Sequence, residues 1–464
     1  MKDKKYLFEK MPVGKALATL AIPTILSQLI TMVYNLADTY FIGKTNDPYK
    51  IAAVSVVFVL YFVMNALSNL FGIGGGSLIS RLLGSGQTEN ARSVCAFSFY
   101  GSLVITAVYS LVCFFFMKPI LLLIGAGNNT LGFASDYVLW VICLGGLPTS
   151  LALTMSHILR SFGYARHASV GLAFGAVLNI VLDPILMFRI FAPGNEVAAA
   201  AIATFISNSV TLLYFFAVFL ILKNSVPLSL SPVRVLPALR YTFRIFAVGF
   251  PSALGSLLSC ASNIVINKLV FGYGDISLAA MGIVKKIDML PMNIGNGLCQ
   301  GMMPLVAYNY SSGDFDRMKK SVRYTRICGL ICAITCVIVY QVFPTAIVRL
   351  FIDEAETVKV GAYLLRICCL ATPLMFLNFQ MSYTFQALGK GKESLLLSSC
   401  RQGLFNIPLM FLMNFLFGLT GLAFTQLIAD FLTAIVSFLL YFFVIRKINS
   451  ESRTDNRSAT EFPH

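Results

Sequence analysis

The sequence predicts an all-α polytopic membrane protein, with about twelve transmembrane helices in two six-helix bundles related as a parallel internal repeat. Three observations predict it. The first is composition: 57% of the 464 residues are hydrophobic and only 12% are charged. A soluble domain needs roughly 25% charged residues to coat its surface, so lipid is the solvent. The second is repetition. Pro23-Thr24-Ile25-Leu26 leading to Asn35 returns as Pro251-Ser252-Ala253-Leu254 leading to Asn263. Leu83-Gly84-Ser85-Gly86-Gln87 returns as Tyr310-Ser311-Ser312-Gly313-Asp314, and Ile142 to Pro148 returns as Ile367 to Pro373. The offset stays at about 225 to 228 residues, as in a duplicated helix set. The third is charge placement, taken up below.

A spanning helix takes about 20 apolar residues, and by that measure spans run at roughly 16–41, 52–79, 94–117, 134–158, 169–191 and 198–222. The first follows Lys2, Lys4 and Lys5, with no small-residue cleavage site before Pro23, so it is a span and not a signal peptide. The second contains Gly72-Ile73-Gly74-Gly75-Gly76. A phosphate-binding loop needs a strand before such a run and Lys-Ser or Lys-Thr after it; here Ser77-Leu78 follows, so close helix packing or a hinge is expected. The polar stretch 223–244, with Pro227, Pro232 and Pro237 and no acid, reads as a linker. Spans resume at roughly 246–271, 278–306, 326–347, 361–387, 395–416 and 421–445. The expected organisation is a bundle over 1–222, the linker over 223–244, a second bundle over 245–448 and a disordered cytoplasmic tail over 449–464.

A formal charge of +15 would suit nucleic acid, but its distribution excludes that reading. Lys and Arg gather at alternate loops, among them Lys2 to Lys15, Arg81 and Arg92, Arg160 and Arg166, Lys223 to Arg244, Arg317 to Arg326, Lys390 to Arg401, and Arg446 and Lys447. The intervening loops hold few, such as Lys44, Lys50, Lys118 and Arg189. This asymmetry places both termini in the cytoplasm. An even number of spans per half gives both halves one orientation, related by an axis along the membrane normal.

Enzyme classes find no support. His157, His167 and His464 lack a nucleophile motif around them, and no catalytic domain fits between the spans. Cys328, Cys332 and Cys336 share one helix face, but no His or carboxylate joins them, so packing explains them better than a metal.

Ionisable residues inside spans are costly and are functional candidates by default. Asp38 lies late in the first span and Asp183 in the fifth, in Asn179-Ile180-Val181-Leu182-Asp183-Pro184. Asn179 and Asp183 stack one turn apart. Pro184 lacks an N–H, which leaves the Ile180 carbonyl without its helical donor. Thr204 offers a hydroxyl from the sixth span, and at 1.5 Å per residue all these groups reach the outer half of the first bundle. A carboxylate in a low-dielectric site holds a proton more readily, and two together resist ionising together. Carboxylate, amide, hydroxyl and carbonyl oxygens equally suit a hard cation such as Na⁺. At the repeat offset Ile266 and Met410 replace the two aspartates, whereas Asn406 and Thr425 answer Asn179 and Thr204, so the acidic chemistry belongs to the first half. The second half has Asn263, Asn267, Lys268, Lys285, Lys286 and Asp288, with Lys285 and Asp288 spaced to pair; Asp430 is a weaker candidate.

These residues resemble the multidrug and toxic compound extrusion (MATE) family. The carriers are Pro23, Asn35-Leu36-Ala37-Asp38-Thr39, Leu83-Gly84-Ser85-Gly86, Arg160-Ser161-Phe162-Gly163 and Asn179 to Pro184, and the resemblance runs from Lys15 to Arg446. It implies two six-helix bundles in a V around a central cavity, acting as a monomer in the cell inner (plasma) membrane. The implied activity is antiport, with lipophilic cationic compounds exported against H⁺ or Na⁺ and no further cofactor. The chain looks most like the branch with its cation site in the first bundle, carried here by Asp38, Asn179, Asp183 and Thr204. The acidic residues that another branch places in its seventh and tenth helices are missing; Ser259 and the neighbourhood of Leu377-Asn378 stand there. Candidate cavity residues are Tyr34, Asn35, Tyr137, Met155, Phe174, Asn263, Lys285, Asp288 and Met292, through stacking, cation–π and polar contacts. Candidate hinges are Pro23, Pro184 and Pro251. A lipid-linked saccharide flippase is the alternative within transport, for which Lys268, Lys285 and Lys286 would supply positive charge.

Overall fold

The structure, a computed structural model, describes residues 2–45, 47–223 and 226–460. Secondary structure among them is helical, with no strand. A short helix α1 (Lys2–Glu9) precedes α2 (Val13–Gly43), α3 (Pro48–Gly84) and α4 (Thr88–Phe115). After α5 (Met117–Leu123), the fourth span is α6 (Asn128–Val138) joined to α7 (Gly146–Ser161) through a π-helical segment, Leu139–Leu144, with a 46° bend. Next come α8 (Ala165–Ile185), ending in a second π segment at Leu186–Ile190, and α9 (Glu196–Leu222). In the second half lie α10 (Val235–Ala238), α11 (Thr242–Phe271), α12 (Asp275–Ser311), α13 (Phe315–Val342) and α14 (Pro344–Arg349). They are followed by α15 (Ala355–Cys368), α16 (Thr372–Leu388), α17 (Gly391–Ser399) and α18 (Asn406–Thr460).

Nine of these stretches are long and apolar enough to cross a bilayer, ten if the bent α6–α7 pair is one span. Two expected spans are fused in α18, which breaks at Gly418 (φ 57°), a backbone turn that a side chain would resist. The remaining span, α12, has 37 residues but carries Lys285, Lys286 and Asp288 in its first half. Beyond Gly421 no glycine or proline interrupts the chain until Pro463. The last helix accordingly continues through Thr460, past residue 449 where a disordered tail is expected; residues 461–464 of that tail lie outside the described residues.

The repeat is visible in the backbone. Left-handed glycines end α3 and α12 at Gly86 (φ 75°) and Gly313 (φ 82°), and end α7 and α16 at Gly163 (φ 82°) and Gly389 (φ 74°). Pro23 and Pro251 lie inside α2 and α11. Residues 226–241, before α11, form a packed strap. Val226 and Leu228 are buried, Tyr100 donates to the Leu230 carbonyl at 3.0 Å, and Arg234 pairs with Glu89 at 2.7 Å.

The two halves meet through α2 with α12 and α3 with α11, where glycines remove side-chain bulk. A Cβ on Gly297 or Gly301 would strike the backbone of Ile25 or Ala21, and one on Gly74 would strike Ile245. Gly72, Gly75 and Gly76 likewise leave no room against His157, Ser98 and Ser161, so the glycine run serves close packing on several faces of α3. Ser77 Oγ donates across the halves to the Gln386 carbonyl at 2.5 Å. Leu7 and Phe8 of α1 pack with Ala165 of the first half and with Leu305 and Tyr308 of the second. Arg317 holds that helix by donating to the carbonyls of Phe8 (2.6 Å), Met11 (2.6 Å) and Leu7 (3.2 Å). All these contacts lie toward the ends bearing the basic loops.

Candidate functional site: an uncompensated acidic cluster

Three elements build the cluster. The α8 turn Asn179–Asp183 faces inward, with Asn179 3% and Asp183 0% exposed, and α9 presents Thr204 beside it, 3% exposed. The Asn179 amide has its nitrogen toward Asp183, because the reverse would oppose two acceptors. It donates to Asp183 Oδ2 at 2.9 Å, and its oxygen accepts from the Thr204 N–H at 3.1 Å and Oγ1 at 3.2 Å. Pro184 lies within α8, and the chain passes directly into the π segment Leu186–Ile190, which absorbs the disturbed hydrogen-bond register.

Asp38 and Tyr34 stand on α2, which packs along α8. Asp38 Oδ1 is buried and has no hydrogen-bond partner among the described residues. Tyr137 from α6 is buried in the outer core of the first half, and Tyr61 from α3 packs against the same cluster. Sequence reasoning missed Tyr61, which has no polar motif around it to set it apart. Among the described residues no Lys or Arg forms an ion pair with Asp38 or Asp183.

The second half treats its acid differently. Asp430 is 0% exposed and receives Arg401 Nε at 2.6 Å, Gln426 Nε2 at 2.7 Å and Asn378 Nδ2 at 3.0 Å. Arg401 also sits over the Phe379 ring at 4.4 Å. Grouped with the loop cations in the sequence, Arg401 is in fact buried in a π segment, Cys400–Leu404. Asn406, the counterpart of Asn179, donates to Ser262 Oγ at 2.8 Å and Gln426 Oε1 at 3.1 Å.

Other expected residues scatter. Met155 is fully buried in the first-half core, walled in by α3 and α4, and so lines no cavity. Phe174 is 51% exposed on a stripe with Val170, Val177 and Val181, the face of α8 opposite Asp183. Lys285 and Asp288 do not form the expected pair. Lys285 Nζ donates instead to Asn263 Oδ1 at 2.9 Å and Asn267 Oδ1 at 3.2 Å on α11, where two amides face it. Asp288 Oδ1 is left buried without a hydrogen-bond partner among the described residues. Asn35 and Met292 are half-buried on α2 and α12.

Comparison with known proteins agrees with the duplication. The MatE family matches twice, over residues 23–185 and 251–412. The multidrug export protein MepA of Staphylococcus saprophyticus is 34% identical over 443 residues, covering 95% of this chain and 96% of MepA; that of Staphylococcus aureus is 32% identical over the same shares. Among solved structures, a MATE transporter bound to MaL6 superposes with a TM-score of 0.90 at 24% identity, covering 97% of this chain and 100% of that one. An outward-facing multidrug resistance MATE transporter of the MOP superfamily superposes at 0.88 and 24% identity, covering 97% and 99%. Two family matches one repeat apart, in an all-α polytopic chain that aligns with MepA almost end to end, establish that the protein belongs to the MatE family, on its MepA-like branch.

Proposed function

We propose that the protein is a secondary active multidrug efflux antiporter, not an enzyme, exporting small lipophilic cationic compounds in exchange for H⁺ or Na⁺ by alternating access. It works as a monomer in the cell inner membrane with both termini in the cytoplasm. One observation carries this reading: among the described residues Asp38 and Asp183, on the packed helices α2 and α8, have no basic partner, whereas Asp430 is neutralised by Arg401. Two uncompensated carboxylates in a low-dielectric site need a proton or a cation. Asn179, Thr204 and the carbonyl freed at Ile180 add neutral oxygens suited to either. The coupling site is therefore Asp38, Asn179, Asp183 and Thr204, with Tyr34 and Tyr137 at its border. The names of the MepA relatives support drug export as the outcome of that coupling.

The two bundles are 1–222 and 245–448, and residues 223–244 strap them together. Pro23, Pro184 and Pro251 mark where α2, α8 and α11 bend as the bundles rock. A susceptibility panel of cationic dyes and antiseptics in a pump-deficient host tests the proposal. Expression should raise resistance, and Asp183→Asn, inserted in the membrane at the same level, should abolish the gain. Undiminished resistance in that variant sinks the site assignment. No resistance to any compound turns the reading to the lipid-linked saccharide flippase.

A further inference from the structure

A groove in the second half lies away from the acidic cluster. It measures about 1040 Å³ and runs along the outer face of α16 and α18, lined by Leu374, Phe431, Ile435, Phe438, Phe442 and Arg446. Phe431, Ile435, Phe438 and Phe442 are all exposed and recur at helical spacing as one stripe. From Phe431 to Arg446 the wall is about 22 Å long, the depth of one bilayer leaflet with its headgroups.

A cation stacks on two rings of this wall without itself lining the groove. Arg326 of α13 places its guanidinium 5.7 Å from the Phe438 ring centroid and 5.5 Å from that of Tyr441, and its Nε donates to Gln380 Oε1 at 3.1 Å. It lies about 16 Å along α13 from Phe315. Among the described residues no carboxylate pairs with it. An arginine at such depth is costly unless an anion meets it. Arg446 lines the mouth of the groove at the end that carries the basic loops.

The repeat sharpens the contrast. At the 227-residue offset set by Gly86 and Gly313, Arg326 stands where the first half has Phe99. There the strap after α9 covers the helices: Val226 and Leu228 pack with Phe97, Phe99, Val218 and Phe219 in one core cluster. In the second half the groove is open and its aromatic has become a cation. The chain beyond Ser450 begins Glu451-Ser452-Arg453-Thr454-Asp455-Asn456, a composition unsuited to filling an apolar groove.

We infer that this groove seats an anionic phospholipid of the leaflet on the basic-loop side, with an acyl chain along Phe431 to Phe442 and the phosphate at Arg446, Arg326 adding positive charge through the Phe438 and Tyr441 rings it stacks on. The protein has a single tryptophan, so the site can be read by fluorescence. Full-length protein carrying Trp140→Phe and Leu439→Trp is reconstituted in phosphatidylcholine vesicles holding a minor fraction of either brominated phosphatidylglycerol or brominated phosphatidylcholine. Quenching should report a preference for the anionic lipid on the order of tenfold, as two basic residues near the headgroups imply. Arg326→Gln with Arg446→Gln should make the two lipids equal, and Arg326→Lys should keep most of the preference. Equal quenching in the parent, or a preference unmoved by the double substitution, overturns the assignment. Ending the chain after Ser450 should leave the signal as it was; a rise with both lipids alike makes the tail the occupant and also overturns it.

Discussion

Asp183 and Asp430 are both 0% exposed, and only Asp430 has a cation beside it. That difference predicts opposite responses to the same substitution. Asp430→Asn leaves the Arg401 charge buried and unpaired, and should lower stability by about 3–5 kcal/mol, read as thermal unfolding in detergent. Asp183→Asn removes a charge that has no partner, so its midpoint should stay level or rise while transport is lost. If both variants lose stability alike, Asp183 is structural. Thr204 offers a finer check, because its hydroxyl meets the Asn179 amide. Thr204→Val should cost about 1–3 kcal/mol at the site, seen as roughly tenfold weaker ion activation or more, and Thr204→Ser should restore it; equal activity in Val and Ser variants discounts the hydroxyl. The members of this cluster were legible because a carboxylate in an apolar span stands out against its neighbours. The partners of Lys285, and Arg401 and Asn378 beside Asp430, were not, since other helices supply them. Nor was Tyr61, one of 19 tyrosines with nothing local to single it out.

At the level of elements, span positions followed from hydropathy, and the turns at Gly86 and Gly313 from repeated glycine. Of the π segments at Leu139–Leu144, Leu186–Ile190 and Cys400–Leu404, only the second has a local cue, the Pro184 just before it, and hydropathy marks none of them. The pairing of α2 with α12 rests on glycines that were visible only as scattered small residues. Gly301→Val puts a branched side chain against the Ala21 backbone and should cost about 1–3 kcal/mol by overpacking. The accompanying readout is cysteine crosslinking between α2 and α12 near Ala21, which should fall sharply. Crosslinking at the parental level would mean that the helices do not meet there.

On the scale of the whole molecule, the halves are joined at their basic ends by glycine contacts, by the Ser77–Gln386 hydrogen bond and by α1 wedged between them. The acidic cluster lies nearer the opposite ends of α2 and α8. A molecule that exchanges ligands between two sides has to break that basic-end junction. Arg317 caps three carbonyls of the α1 segment. Arg317→Ala should therefore speed hydrogen exchange in α1 by roughly tenfold or more, the loss of charge-assisted bonds at a helix end; unchanged exchange would show that apolar packing alone holds it. The duplication could be read from sequence, because anchors recur at one offset. Which ends of the bundles touch could not, since the pattern is compatible with either. In the proposed antiport the first-half carboxylates couple ion entry to export. That coupling is tested by dye efflux from reconstituted vesicles, with a pH gradient or a Na⁺ gradient imposed separately, on the parent and on Asp183→Asn. The account predicts efflux driven by one of the gradients in the parent and by neither in the variant. Gradient-driven efflux that survives in Asp183→Asn would contradict it.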